Sequence, residues 1–276
     1  MACLLFGKIA RREDFGMSPQ ETNRSLNRLK PLWREGRTTL GAIATIPSVQ
    51  TVQIMARSGL DWIVIDMEHG SINIDMAHAM IAATSGTPLV PFVRVASTSA
   101  WQAKLPLDIG ALGVCFPMTT TRRAAEEAVK AVKYPPMGKR CWGPFYAPLR
   151  WGISMREYQD HADEEILAIG TIEHVDAIGA IGEIVATPGL DLVFIGPGDL
   201  ATSMGHRGRV DHPDVQAAMK TLEESIRPSP VILGGVATTA GQIKVMTKRG
   251  YKALVVGFDW SLLQQGITSI LGGVSQ

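Results

Sequence analysis

The sequence predicts an α/β protein, a (β/α)8 TIM barrel. Three observations carry that expectation. Eight short apolar runs alternate with longer amphipathic stretches, no break in composition interrupts the rhythm, and no glycine-rich dinucleotide fingerprint follows the first run. A chain of 276 residues suits one large domain or two small ones, and the unbroken alternation favours one. Hydrophobic residues make up 46% and charged residues 19%, enough to bury a sizeable core.

The first element is a helix. Ser18-Pro19-Gln20-Glu21 offers a capping hydroxyl, a proline at the first helical position and a glutamate at the third. Leu26, Leu29, Leu32 and Trp33 then recur at helical spacing. Residues 1–37 read as a helical extension laid on the outside or base of a barrel spanning 38–276. The apolar runs are Thr39–Ile46, Trp62–Ile65, Leu89–Val93, Gly113–Phe116, Leu167–Ile172, Leu192–Ile195, Val231–Leu233 and Ala253–Val256. Rich in Val and Ile, they read as buried parallel strands. Between them lie the helical patterns Val49–Ser58, Ile74–Ser85, Trp101–Ile109, Thr121–Val132, Val175–Ala186, Pro213–Ile226 and Ala237–Arg249, with a last helix over Trp260–Leu271. An open doubly wound sheet is the alternative, but Gly41-Ala42-Ile43-Ala44 is not its phosphate-binding fingerprint. Tyr134–Glu165 reads as a long loop carrying Trp142, Phe145, Tyr146, Trp151 and Tyr158, placed to roof an active site or to face a neighbouring subunit.

Charge and cysteine usage exclude several classes of function. The net charge is +1 with no basic block, which argues against a nucleic-acid partner. No apolar run reaches the roughly 18 residues of a membrane span, and Cys3-Leu4-Leu5-Phe6 is too short for a signal peptide. Cys3, Cys115 and Cys141 form no CxxC pair and read as reduced thiols of a cytoplasmic protein.

In a barrel, chemistry sits at the carboxyl ends of the strands. Ionisable residues gather there: Asp66, Glu68 and His69 after the second strand, Arg94 after the third, Glu173 and His174 after the fifth, Asp199 after the sixth and Asp259 after the eighth. The fourth strand ends without charge, at Phe116-Pro117-Met118. Glu173 and Asp199 follow adjacent strands, and two converging carboxylates suit Mg²⁺ or Mn²⁺, with Co²⁺ also accepted. Each feature also has a plain structural reading: Glu173 as a carboxylate favoured by a helix dipole, His69 as a helix cap, Arg94 as half of a salt bridge closing the barrel top with Asp66. The functional reading pairs His69 with Asp66 as an acid/base system, Glu68 being the other possible partner. It aims Arg94 at a developing enolate oxygen, and has the turn Gly196-Pro197-Gly198-Asp199 hold a carboxylate with its backbone amides. No strand run ends in lysine, so a Schiff base is disfavoured against a metal. His78, His161, His206 and His212 show no ligand spacing and read as surface or packing residues.

These residues in this order resemble the HpcH/HpaI aldolase family, the metal-dependent pyruvate aldolases. The likeness rests on Leu60–Gly70 (LDWIVIDMEHG), Phe92–Val95, Asp108–Gly113, Tyr134–Arg140 (YPPMGKR), Ile172-Glu173, Phe194–Leu200 (FIGPGDL) and Val256–Asp259. The resemblance implies a divalent-metal-dependent carbon–carbon lyase that makes or cleaves 4-hydroxy-2-oxo acids through a pyruvate enolate, taking a small 2-oxo acid and an aldehyde or other electrophile. It implies Glu173 and Asp199 as metal ligands, Arg94 as enolate stabiliser, Asp66–His69 as the acid/base pair, and the Gly198 and Asp199 amides on the substrate carboxylate. It implies homohexamers of dimers that exchange the last helix. The chain departs from the pattern at Thr171, where members commonly carry a substrate-contacting glutamine, and in the aromatic loop around Trp142, expected to help shape the electrophile's site. These departures, together with the N-terminal helical extension, are similar to the branch containing macrophomate synthase, which implies oxaloacetate decarboxylation, with or without enolate capture, as the alternative. A non-catalytic anion-binding barrel is the third reading.

Overall fold

The structure is a computed structural model that describes residues 26–273, so the capping motif at Ser18–Glu21 lies outside the described residues. Eight strands run parallel: β1 (Thr39–Ala44), β2 (Trp62–Asp66), β3 (Val90–Arg94), β4 (Gly113–Phe116), β5 (Leu167–Ile172), β6 (Leu192–Ile195), β7 (Ile232–Val236) and β8 (Ala253–Phe258). They hydrogen-bond in chain order and close, β8 pairing with β1. The helices are α1 (Leu29–Arg34), α2 (Val49–Met55), α3 (Ile74–Ala82), α4 (Ala100–Asp108), α5 (Arg122–Val132), α6 (Ala147–Trp151), α7 (Met155–Glu165), α8 (Asp176–Val185), α9 (Pro197–Ser203), α10 (Pro213–Ile226), α11 (Ala240–Lys248) and α12 (Asp259–Gly272).

Side chains alternate across a strand, so every second residue points into the barrel. Trp62 stacks on Phe92 with centroids 5.8 Å apart and lies 5.4 Å from Phe194, so three strands fill the interior with aromatic rings. The neighbours make room: a Cβ on Gly41 would fall 2.1 Å from the Trp62 ring, and one on Gly234 would fall 2.5 Å from Phe194. Beneath, Thr39 Oγ1 accepts from Trp33 Nε1 at 3.0 Å and from Trp62 Nε1 at 3.1 Å, and donates to Lys252 O at 3.0 Å. The described part of the N-terminal extension closes this end: Leu29 and Trp33 of α1 are buried, and Asn27 is tied to Glu165.

The structure departs from the sequence expectation at three places. The predicted loop Tyr134–Glu165 contains α6 and α7, and α7 begins with the capping box Ser154/Glu157. The predicted turn at Gly196–Asp199 opens a short helix, α9, on Pro197. The seventh strand extends through Gly234-Gly235 rather than stopping before them, because the Phe194 and Tyr251 rings occupy the space side chains would need there. Among the described residues no helix is long and apolar enough to cross a membrane.

Candidate active site at the carboxyl end of the barrel

The inward-facing alternation ends in charge on neighbouring strands. In β2 the series Trp62, Val64, Asp66 points inward, and in β3 the series Val90, Phe92, Arg94. The register sets Asp66 directly against Arg94. The guanidinium grips the carboxylate with both arms: Arg94 Nε donates to Asp66 Oδ1 at 2.9 Å and Nη2 to Oδ2 at 2.6 Å. Asp66 is fully buried and also accepts from the amides of Glu68 and His69. Burial opposes the charge on Arg94, but Asp66 and Glu68 together outweigh it and raise the guanidinium above its ordinary value.

Glu68, which the sequence offers only as an alternative partner for His69, takes a larger part in the site. The sharp turn after β2 needs Gly70, where a Cβ would meet Asp66 O at 2.4 Å, and it swings Glu68 over the barrel mouth. Glu68 Oε2 lies 3.2 Å from Arg94 Nε. The single Nε proton is already given to Asp66, which leaves Glu68 Oε2 buried without a hydrogen bond. Burial raises Glu68 above the usual carboxylate range; Arg94 and His69 pull it back, while Asp66 and Asp199 push it further.

Glu173 continues the inward series Ile169, Thr171 one step beyond β5. Its Oε1 accepts from the amide of Met118 at 2.7 Å. Met118 holds a left-handed φ of 51°, so the uncharged end of β4 contributes a backbone donor that no side-chain pattern could reveal. Gly196 leaves room beside it, since a Cβ there would stand 3.0 Å from Glu173 Cβ. Burial is the main reason Glu173 sits above the usual carboxylate range; the Met118 amide opposes the shift, and Glu68 and Asp199 add to it. The charges of Glu68 and Asp199 thus reach Glu173, and that of Asp199 reaches Glu68, which brings three carboxylates to one mouth, Asp199 lying in the first turn of α9 beside Gly198. An all-oxygen set with a buried acceptor that lacks a donor, in a cluster short of positive charge, fits a hard divalent cation.

The other predicted site residues divide. Thr171 is buried in β5 with its methyl group toward Gly196, on the inner wall below Glu173. The imidazole of His69 is exposed and its nearest acidic atom is Glu68 Oε2, 3.8 Å from Nε2. Asp66 meets His69 through the backbone amide, because Arg94 and two loop amides fill its oxygens. Trp142 is not brought to this cluster. Its ring packs on Tyr134, just past the C-terminus of α5 and therefore toward the amino-terminal end of the barrel. Asp259 serves the fold: its carboxylate accepts from the Thr45 and Ile46 amides and the Thr45 hydroxyl, locking the loop after β1.

Residues 46–265 match the family described as HpcH/HpaI aldolase/citrate lyase. The chain belongs to that family. A hydroxypyruvate/pyruvate aldolase from Pseudomonas aeruginosa is 32% identical over 248 residues, 90% of this chain and 92% of the relative. The crystal structure of an HpcH/HpaI aldolase/citrate lyase family protein from Burkholderia cenocepacia matches with a TM-score of 0.82 at 30% identity, covering 89% of this chain and 98% of the other. Macrophomate synthase matches with a TM-score of 0.79 at 26% identity, covering 88% and 87%. The match to solved structures of the family agrees with the closed eight-stranded barrel that the strand count predicts.

Proposed function

We propose that this HpcH/HpaI family member is a class II carbon–carbon lyase that forms the enolate of pyruvate, or of a close 2-oxo acid, and breaks or makes a bond from it to an aldehyde. The observation that carries the reading is the gathering of Glu68, Glu173 and Asp199 at the one barrel mouth that also holds Arg94. Glu173 and Asp199, with Glu68 beside them, would hold Mg²⁺ or Mn²⁺. Bound there, the cation would draw electron density from the keto oxygen of the 2-oxo acid.

The chain's own groups supply the rest. Arg94 spends one Nε proton and one Nη2 proton on Asp66, and its remaining donors are free to meet negative charge on the keto oxygen. Asp66 fixes the guanidinium plane, since a bidentate pair permits one orientation. The Gly198 and Asp199 amides, in the unpaired first turn of α9, receive the substrate carboxylate. Thr171 lines the wall beneath the reacting carbons. His69, at the open side of the mouth, takes the proton from the C4 hydroxyl in cleavage and returns it in synthesis, with Glu68 as its carboxylate neighbour. The exposed apolar row Trp260, Leu263, Ile267, Ile270 and Leu271 on α12 supports the exchange of that helix between copies in a homo-oligomer, the expected hexamer. Trp142, packed on Tyr134 toward the other end of the barrel, has no part in the chemistry of its own chain's mouth.

The decisive experiment is proton–deuterium exchange at the pyruvate methyl group, followed by NMR with Mg²⁺ or Mn²⁺ and with EDTA. Metal-dependent exchange is expected; its absence with every metal removes pyruvate enolate formation. The likeness to macrophomate synthase favours oxaloacetate decarboxylation as a second reading. Decarboxylation asks less of His69, so His69→Ala should depress aldol cleavage far more than oxaloacetate loss. Equal losses would argue against that division of labour.

A further inference from the structure

The loop joining α9 to α10 gathers three donor groups that the lyase reaction leaves unused. His206 follows the end of α9 and donates its amide to Ala201 O at 2.7 Å. Gly205 and Gly208 take φ of 81° and 73°, a region other residues avoid, and the chain doubles back. His212 caps α10 just before Pro213. The reversal lays the imidazoles of His206 and His212 face to face, centroids 3.6 Å apart and planes 16° from parallel. Asp214 turns Oδ2 toward both, 3.2 Å from His206 Nε2 and 3.6 Å from His212 Nδ1. Side-chain exposure is 19% at His206, 27% at His212 and 66% at Asp214. The cluster is therefore anchored on one side and open to water on the other.

We propose that His206, His212 and Asp214 form a second metal site, for a borderline first-row cation such as Zn²⁺, Co²⁺ or Ni²⁺. Ligand atoms around one tetrahedral ion with bonds of about 2.0–2.2 Å stand roughly 3.3–3.6 Å apart. The two Asp214 contacts lie close to that edge, and all three ligand atoms lie within 4.8 Å of one another. Two nitrogens and one oxygen select a different ion from the all-oxygen mouth, which favours Mg²⁺ or Mn²⁺. Without the ion, long contacts hold the rings: Arg209 Nη2 stands 3.3 Å from His206 Nδ1, and the Asp214 amide 3.3 Å from His212 Nδ1. Binding displaces the Asp214 amide from His212 Nδ1; His206 ligates through Nε2, so its Nδ1 carries the proton and Arg209, itself a donor, turns away. Binding also requires a ring to turn out of the parallel stack so that the nitrogen lone pairs converge, and the terminal torsion of histidine is broad and soft. The exposed side leaves the remaining position to water. The site bridges the end of α9, whose first turn carries Asp199, and the start of α10, so occupancy would pin that loop at the barrel rim rather than take part in the chemistry.

Calorimetric titration of Zn²⁺ into tag-free, metal-stripped protein kept in saturating Mg²⁺ tests the site. One Zn²⁺ per chain is expected for the wild type and for Glu173→Gln, with binding at least about tenfold weaker in His206→Gln and in His212→Gln. Titration with Co²⁺ should give the visible absorption of a four-coordinate nitrogen–oxygen site, lost in the same two variants. Circular dichroism and Mg²⁺-dependent pyruvate exchange establish that the histidine variants are folded. No Zn²⁺ uptake by the wild type overturns the proposal. So does uptake that survives both histidine changes, or that disappears with Glu173→Gln while surviving them.

Discussion

Arg94 and Asp66 make a sharp test of how the mouth is built. Met at position 94 keeps most of the aliphatic stem and removes the guanidinium. Asp66 would then be a fully buried carboxylate holding only two loop amides, at 3.1 and 3.3 Å, in place of two charged hydrogen bonds at 2.9 and 2.6 Å. Breaking a buried pair from one side typically costs about 3–5 kcal/mol. For a chain of this size that is a fall in melting temperature of roughly 6–10 °C, at about 2 °C per kcal/mol. Asp66→Asn should cost less, since Arg94 keeps Glu68 within 3.2 Å. The double variant leaves no unpaired charge at position 66 and should be more stable than the sum of the singles, by about 0.5–3 kcal/mol. Thermal melts of the four proteins in EDTA give that coupling. Losses that add within about 0.5 kcal/mol would refute the pairing as an energetic unit. The same proteins carry a functional readout: removing one charged donor from a developing oxyanion costs about 10²–10³ in rate. Arg94→Met that still exchanges pyruvate protons within a few-fold of wild type would refute its role at the keto oxygen.

Three further outcomes follow from other parts of the chain. Thr39→Val leaves the buried Trp62 indole N–H without its acceptor, while Trp33 keeps Lys252 O at 3.1 Å; the expected loss is about 1–3 kcal/mol by thermal melting, with pyruvate exchange per folded molecule unchanged. Burial pushes the Cys115 thiol up to about 12, so maleimide labelling at pH 8 should modify the exposed Cys141 and spare Cys115 until the protein unfolds. Because that folded value is raised, the thiol's contribution to stability is complete below about pH 8.5 and is lost as pH rises toward about 12; pH-dependent melts of Cys115→Ala should lose that part of the alkaline decline. Glu173→Gln keeps the acceptor for Met118 N but removes a buried charge, so in EDTA it should melt at or above the wild type, and added Mg²⁺ should reverse the order.

The barrel was legible because its cause is periodic. Eight Val- and Ile-rich runs set the strands, and all eight begin within one residue of β1–β8. The seventh run stops short of the end of β7, because glycine pairs usually punctuate strands and nothing local shows that two distant rings need the space. Helices α6 and α7 were hidden by an aromatic segment whose polar capping box, Ser154 and Glu157, lies well inside it. At the mouth, the ionisable side chains could be read from the strand ends, and β2–β3 register then made Asp66 and Arg94 neighbours. Glu68 could not be oriented from sequence, since its direction depends on a turn around Gly70. Met118 could not be found at all, because what it offers is an amide. His206 and His212 come together only through a loop reversal at two glycines, a geometry with no helical or strand period.

The balance of charge at the mouth also orders its ligands. Asp66, Glu68, Glu173 and Asp199 face one guanidinium, and that guanidinium is already committed to Asp66. A 2-oxo acid arrives as an anion and meets a field dominated by carboxylates in a partly desolvated cleft, where repulsion is weakly screened. The backbone amides of α9 and the free donors of Arg94 are too few to offset that field alone. A divalent cation held by the carboxylates removes most of the repulsion, so it should bind first and the 2-oxo acid second. Calorimetry of pyruvate into the protein in EDTA should show no binding, and in saturating Mg²⁺ a clear isotherm. Glu173→Gln should weaken the Mg²⁺ isotherm while easing the repulsion in EDTA. Pyruvate that bound the wild type equally with and without Mg²⁺ would mean that Arg94 and the amides carry the anion by themselves, and the carboxylate cluster would need another explanation.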